Sequence, residues 1–370
     1  MKPIFLYGTL LYEPLLAVVI GKEVAPRQAS LEGYGVFWAG EESYPRIAEA
    51  PGETARGILI DAEDAVARLD FYEGGYGYDL IPVSVETDDG PVEAQVYWPG
   101  SDVPAPGAPW SLGDWAAKWG AMTCHLAREA MDYFGTITPE ELLARMPMMR
   151  GRAWSRVLAE AGEATAPLGP LPEAPVEVET LQRPYTKFFS VSEADLSHPK
   201  FDGSRTPILN RAAFVACDAI VVLPYDPVRD RVHLIEQFRM GPFFRGDPNC
   251  FPIEAVAGRI DAGESAEEAC HRELMEEAGL EARSLHLVSQ SYPTAGSMTE
   301  YLYIYIALTD LPDDAAIIGG VDDEDEDIRA TLVDFDRFQH MLDSNALNIG
   351  PLIIAAHWLV RHREKLRGLA

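Results

Sequence analysis

Residues 258–280, GRIDAGESAEEACHRELMEEAGL, hold carboxylates at a spacing suited to binding a cation. On a helix, Glu273 and Glu277 stand at i and i+4 on one face, with Glu276 beside them. Three carboxylates this close repel one another unless a cation neutralises them. Hard oxygen donors partly open to water suit Mg2+, with Mn2+ as the alternative. Such an ion bridges and polarises phosphate oxygens, so the chemistry indicated is on phosphate. Gly258 is expected to open the loop before the helix and let the backbone carbonyl of Ala257 turn toward the same ion. Gly279 is expected to end the helix as its C-cap. Arg272 is expected to point away from the metal face and to pair with a loop carboxylate such as Glu264, holding the loop against the helix. Glutamates spaced like this more often form a solvated helix face. Against that reading, the segment meets G-x5-E-x7-R-E-U-x-E-E-x-G-U (U a bulky aliphatic) at all nine fixed positions. The chance of this is on the order of one in a million.

The elements around the segment describe an α/β protein. After a proline-rich seam come predicted strands near 176–182, 216–224 and 230–238, a helix over about 265–278, strands near 285–292 and 300–308, and a last helix over 351–366. Before the seam, residues 4–7, 55–60, 81–86 and 92–97 read as strands and 112–134 as a helix. Thr138-Pro139-Glu140-Glu141 supplies an N-cap, a first-turn proline and a capping-box glutamate for another helix. Pro167, Pro170, Pro172 and Pro175 mark residues 162–175 as a semi-rigid linker between residues 1–161 and 176–370.

Composition sets the limits. The 370 residues favour two domains, and 47% apolar residues suffice for packed cores. With 30 Lys+Arg against 59 Asp+Glu, the formal charge is −29, and both halves share the excess. Nucleic-acid and membrane-surface partners are therefore not expected, and an anionic substrate would need local arginines or a metal ion. Cys124, Cys217, Cys250 and Cys270 form no CxxC pair and are expected to be reduced core thiols. The apolar start is interrupted by Glu13, no later stretch is long enough to span a membrane, and a cytoplasmic protein is expected.

The segment from Gly258 resembles the Nudix box, and residues 180–370 resemble the ADP-ribose pyrophosphatase branch of the Nudix hydrolases. Supporting segments are Phe188-Phe189-Ser190, VVLPYDPVRD from Val221, LIEQFR from Leu234 and DEDEDIR from Asp323. The resemblance implies an α/β/α sandwich that hydrolyses ADP-ribose, a nucleoside diphosphate sugar, to AMP and ribose 5-phosphate. It implies that Ala257, Glu273 and Glu277 hold the metal, with Glu276 and Arg272 in the catalytic set. Arg211 and Arg239 would hold the diphosphate, and Phe188 or Phe189 would stack the adenine. Glu324 or Glu326 would activate the attacking water. A homodimer with shared sites is implied as well. The alternative is a nucleotide sensor without catalysis.

Near the N-terminus, Tyr7-Gly8-Thr9-Leu10 follows the first predicted strand, and Leu69-Asp70-Phe71-Tyr72-Glu73-Gly74 precedes the strand carrying Tyr78 and Pro82. This order resembles the gamma-glutamylcyclotransferase-like (AIG2-like) fold, a small β-barrel with flanking helices, over about residues 1–105. The resemblance implies that the glycine turn offers backbone N–H groups to a substrate carboxylate. It also implies that Glu73 shuttles protons while the substrate's α-amine attacks its γ-carbonyl to form 5-oxoproline. Such a glutamate would need a pKa raised by burial. The same residues would also suit a barrel kept only for dimerisation or regulation.

Overall fold

The computed structural model describes residues 2–22, 24–60, 63–76, 78–162, 165–313, 315, 318–319 and 327–369. The chain divides into two compact units, Met1–Ala164 and Thr165–Ala370. Residues 165–176 carry neither helix nor strand. No helix among the described residues is long and apolar enough to cross a membrane.

The N-terminal unit runs β1 (Ile4–Leu6), α1 (Glu13–Ile20), β2 (Arg27–Ala39), β3 (Pro45–Ile60), α2 (Glu63–Glu73), β4 (Tyr78–Thr87), β5 (Gly90–Pro99), β6 (Pro106–Pro109), α3 (Leu112–Trp115), α4 (Ala121–Met131), α5 (Pro139–Leu143) and α6 (Met146–Ala161). The strands follow the order β3-β1-β5-β4-β2-β6, and β2 also pairs with β3, which closes five of them into a barrel. Phe5, Leu31, Ile47, Leu59, Val85 and Val96 fill it. The opposite side of β1 packs on the helices through Ile4, Leu6, Leu15, Leu69, Leu126 and Met149. The apolar N-terminal stretch is thus a core strand and a core helix.

The helix expected over 112–134 forms over Leu112–Met131 and carries one irregular turn. A π-helical turn at Ala116–Gly120 separates α3 from α4. Gly120 there lies so close to the Tyr12 ring that a Cβ would approach within 3.2 Å. The capping box at Thr138 forms with both arms: Thr138 N–H donates to Glu141 Oε2 at 3.0 Å and Glu141 N–H to Thr138 Oγ1 at 3.2 Å.

The second unit runs β7 (Glu177–Thr186), β8 (Ser190–Ser197), β9 (Leu209–Val215), β10 (Ala219–Asp226), β11 (Arg231–Glu236), α7 (Met240–Arg245), β12 (Ile253–Glu254), β13 (Val256–Arg259), α8 (Ala266–Ala278), β14 (Ser284–Ser291), β15 (Leu302–Leu308), β16 (Ile318–Gly319), β17 (Ile328–Asp334), α9 (Phe335–Asp343) and α10 (Gly350–Arg367). β7, β8 and β9 form a separate three-stranded sheet. The others build a mixed sheet in the order β14-β15-β10-β11-β17-β16, with β12 on β11 and β13 on β10. β10 is apolar almost throughout, as a strand covered on both faces must be. Its Val221, Leu223 and Tyr225 pack with α9 and α10 through Phe335, Phe338, Leu352 and Leu359. α8 lies against β10 and β13. This is the α/β/α sandwich.

Candidate active sites

α8 starts at Ser265, whose hydroxyl accepts from Glu268 N–H at 3.3 Å while the Glu268 carboxylate returns to Ser265 N–H at 2.8 Å. It ends at Gly279, in the left-handed conformation at φ 62°. There Leu280 N–H donates to Leu274 O at 3.0 Å and the Leu280 side chain is buried. Both ends of the helix are fixed, so the glutamates between them are held in register.

The helix brings Glu273 and Glu277 to the backbone of β13. Ala257 N–H donates to Glu277 Oε2 at 3.2 Å. The Glu273 carboxyl occupies the space beside Gly258 where any other residue would carry its Cβ, which would fall 1.9 Å from Oε1. Gly258 does not open a loop. It lies within β13, paired with Ile220, and its φ is not positive. Space for the Glu273 carboxyl, rather than conformational freedom, requires glycine at this position.

Arg272 pairs with Glu264 as a fork, Nε to Oε1 at 2.9 Å and Nη2 to Oε2 at 3.0 Å, and also donates to Arg259 O at 2.9 Å. This ties the loop to the helix. The guanidinium does not point away from the glutamate face, however. Its Nη1 donates to Glu273 Oε1 at 2.7 Å and Glu276 Oε2 at 3.0 Å. A half-buried arginine reaches whatever uncompensated acid is nearest, and these carboxylates hold its pKa above the ordinary arginine value even though burial acts to lower it.

The remaining residues divide. Phe188 and Phe189 are exposed, with their rings edge-on at 4.8 Å. The Arg259 guanidinium lies 5.3 Å from the Phe188 ring centre, which places that aromatic beside the box. Arg239 forks onto buried Glu254, Nε at 2.9 Å and Nη2 at 2.7 Å. Arg211 lies on β9, where its side chain donates to the carbonyl of its neighbour Asn210 at 2.8 Å. β9 belongs to the separate β7-β8-β9 sheet, whereas α8 packs on β10 and β13 of the other. Glu324 and Glu326 lie outside the described residues. Sequence reasoning missed Arg259 and Glu254. The first directly follows Gly258, a signal that was there to be read. The second is visible only through β12 pairing with β11.

In the N-terminal unit, Tyr7, Gly8, Thr9, Leu10 and Glu73 line one cavity of ≈ 780 Å³ including its mouth, together with Tyr44, Tyr76, Tyr78 and Arg150. A 3-10 turn at Thr9–Leu11 closes by Leu11 N–H to Gly8 O at 2.9 Å and Tyr12 N–H to Thr9 O at 3.0 Å. The N–H groups of residues 8–10 at its start are those that a helical turn leaves unpaired. Tyr7 hydroxyl donates to Tyr97 O at 3.1 Å and Tyr78 hydroxyl to Pro45 O at 3.1 Å, which fixes two walls. Burial pushes the Glu73 carboxyl up to about 7. A group of that pKa exchanges protons readily at neutral pH.

Comparison with known proteins agrees with both readings. A NUDIX domain model matches residues 217–353, and a model for gamma-glutamyl cyclotransferase, AIG2-like, matches residues 4–117. The ADP-ribose pyrophosphatase of Escherichia coli (strain K12) is 33% identical over 192 residues, 52% of this chain and 91% of the relative. The chain belongs to the Nudix hydrolase family. Two other relatives are the ADP-ribose pyrophosphatase of Haemophilus influenzae, 27% identical over 52% of this chain and 89% of the relative, and the GDP-mannose pyrophosphatase of Salmonella paratyphi B, 30% identical over 37% and 71%. A solved ADP compounds hydrolase shares 22% identity over 53% of this chain and 96% of its own, with a TM-score of 0.40. This Nudix hydrolase thus carries an AIG2-like domain ahead of its Nudix domain.

Proposed function

We propose that the second unit is a Mg2+-dependent ADP-ribose pyrophosphatase that releases AMP and ribose 5-phosphate, with Mn2+ able to substitute. The observation that carries this is the seat made for Glu273 by Gly258, beside Glu277 held on Ala257 N–H. The donor set suits a hard divalent cation: Arg272 brings one positive charge to the three carboxylates it touches, Glu264, Glu273 and Glu276, so negative charge remains in excess. Among the described residues no three His, Cys, Asp or Glu side chains are grouped to hold a metal. The donors proposed, Glu273, Glu277 and the Ala257 carbonyl, include only two such side chains.

When bound, the cation would neutralise the diphosphate and polarise its oxygens. The chain's own residues do the rest. Arg272 keeps the 260–265 loop and the Glu273 carboxylate in place. In this reading Phe188, beside Arg259, would stack a base, and Arg239, forked on Glu254, would bind the diphosphate. A water oxygen then bonds to one phosphorus, the bridging P–O bond breaks, and a carboxylate takes the water proton. Glu324 or Glu326 is assigned that last role, with Glu276 beside the metal pair. Wild type should release AMP from ADP-ribose with Mg2+, and Glu273→Gln and Glu277→Gln should each lower the rate by orders of magnitude. Unchanged turnover in both would remove the metal assignment.

Assembly as a homodimer is part of the proposal. The sheet of β7, β8 and β9 exposes Val178, Leu181, Tyr185 and Phe214, apolar side chains that a lone sheet leaves in water. Packing across a second copy would cover them and could carry Arg211 to a site. Light scattering showing a fully active monomer would refute this.

A second reading concerns the first unit and rests on Glu73 in its cavity. We propose gamma-glutamyl cyclotransferase chemistry there. The substrate's α-amine bonds to its own γ-carbonyl carbon, closing the 5-oxoproline ring, and the bond to the leaving amine breaks. One proton passes through Glu73 from the attacking nitrogen to the departing one. Release of 5-oxoproline that Glu73→Gln abolishes would establish it, and release that survives the substitution would remove Glu73 from the mechanism.

A further inference from the structure

The N-terminal cavity has a wall that its family match does not cover. Met122, Thr123, Leu126 and Arg150 line it, and all four lie beyond residue 117, where that match ends. Helix α6 sets Arg150 in place. Met149 is wholly buried in the core, and Met146, one turn before Arg150 on the same face, receives the Tyr76 hydroxyl at 3.9 Å. Arg150 therefore stands over the Tyr76 end of the cavity, where the Tyr44 and Tyr76 rings lie 6.0 Å apart. Its charge is felt by both phenols, against a larger opposing effect of Glu42 at Tyr44 and of Glu73 at Tyr76.

The charge balance of this cavity is unlike that of the chain around it. The protein has 59 acidic and 30 basic residues, and the next arginine along the same helix, Arg152, is bound to Glu129 at 2.5 Å. No carboxylate among the described residues pairs with Arg150. The acid that lines the cavity with it, Glu73, is pushed up to about 7 by burial and so is only partly charged near neutral pH. An arginine without an acid partner, set in an apolar and phenolic cavity, favours an anionic group, and its planar fork matches a carboxylate.

We propose that Arg150 makes this cavity selective for gamma-glutamyl compounds whose leaving amine bears its own carboxylate, resting on the reading of the cavity as a gamma-glutamyl site. The gamma-glutamyl end must lie toward buried Tyr7 and half-buried Glu73 for the chemistry. The leaving group then extends to the half-exposed end, where Arg150 stands. Arg150 is a specificity residue supplied by the added helices.

The test uses the full-length chain in a Glu73→Gln background, so that no ligand is consumed. Calorimetric titration compares γ-glutamyl-alanine with γ-glutamyl-ethylamide, which differs only in lacking the alanine carboxylate. The chain with Arg150 should bind the alanine compound roughly 10- to 100-fold more tightly. Arg150→Met should bring the two within about 2-fold, and Arg150→Lys, which keeps the charge without the fork, should retain part of the preference. Circular dichroism and the thermal midpoint confirm folding of each variant, and the lysine variant covers failure of the methionine one to fold. No preference with Arg150 present, a preference kept in Arg150→Met, or no binding of either compound would overturn the inference. Chromatography of 5-oxoproline from the chain with Glu73 intact separates the two readings. Preference without 5-oxoproline supports the Arg150 site and removes the chemistry, whereas 5-oxoproline without preference removes the Arg150 role alone.

Discussion

Replacing Gly258 by alanine should separate activity from stability. The added Cβ would sit 1.9 Å from Glu273 Oε1 and 2.0 Å from its Cδ. Ordinary carbon contacts begin near 3.5 Å, so the carboxyl must retreat by roughly 1.5–2 Å. The obstacle is the far end of a flexible side chain, so folding should survive with a loss of about 1–3 kcal/mol, the usual cost of overpacking. In the proposed metal-binding role Glu273 displaced that far should no longer serve, because a misplacement of about 1 Å already costs on the order of 100-fold in rate. The assay is steady-state release of AMP from ADP-ribose in Mg2+, beside urea unfolding of the same preparation. Gly241→Ala is the control: it lies in α7 with nothing within 4 Å of a built Cβ, and should keep activity within about 2-fold. Hydrolysis of ADP-ribose by Gly258→Ala within 3-fold of wild type, or activity lost only in proportion to unfolded protein, would refute the need for space beside Glu273.

Three further outcomes follow from the same structure. Arg272→Ala leaves Glu264, Glu273 and Glu276 without their shared donor and should lower stability by about 1–3 kcal/mol, with Arg272→Lys restoring little because it lacks the fork; urea midpoints test this. Burial alone would raise Asp230, but hydrogen bonds from Arg363, Tyr225 and Arg367 bring it down to about 2. Its contribution is then complete above the unfolded value near 4 and disappears as pH falls through about 2, so Asp230→Asn should flatten that part of the acid-unfolding curve. Glu73 runs the other way: its raised value, about 7, leaves its stabilising share intact below the unfolded value near 4 and removes it as pH rises through 7. Glu73→Gln should therefore raise the thermal midpoint at pH 8 and hardly change it at pH 4.5, and equal shifts at both would contradict this.

Much of the Nudix site was legible because its residues act locally. A C-cap glycine, a capping box and an i, i+4 carboxylate pair each depend on neighbours within one turn, and α8 forms as the spacing implies. Gly258 was visible as a requirement but not for its reason, since the clash with Glu273 exists only once β13 pairs with β10 and α8 crosses it. Arg272 was legible in its partner Glu264 and not in its direction, because a long side chain distributes its donors among acids from three turns of chain. In the first unit the barrel strands and Glu73 could be placed. The π-helical turn at Ala116–Gly120 could not, because Gly120 there packs on the Tyr12 ring from another helix's start. Arg150 lies in no motif at all. Only the packing of Met146 and Met149 turns it into the cavity.

The proposed ADP-ribose pyrophosphatase activity is tested most directly by competition between two nucleotide sugars. Wild-type chain given equal concentrations of ADP-ribose and GDP-mannose in Mg2+, with nucleotides resolved by chromatography, should accumulate AMP at least about 10-fold faster than GMP, and Glu277→Gln should suppress both. GMP appearing first, or neither nucleotide appearing, would contradict it.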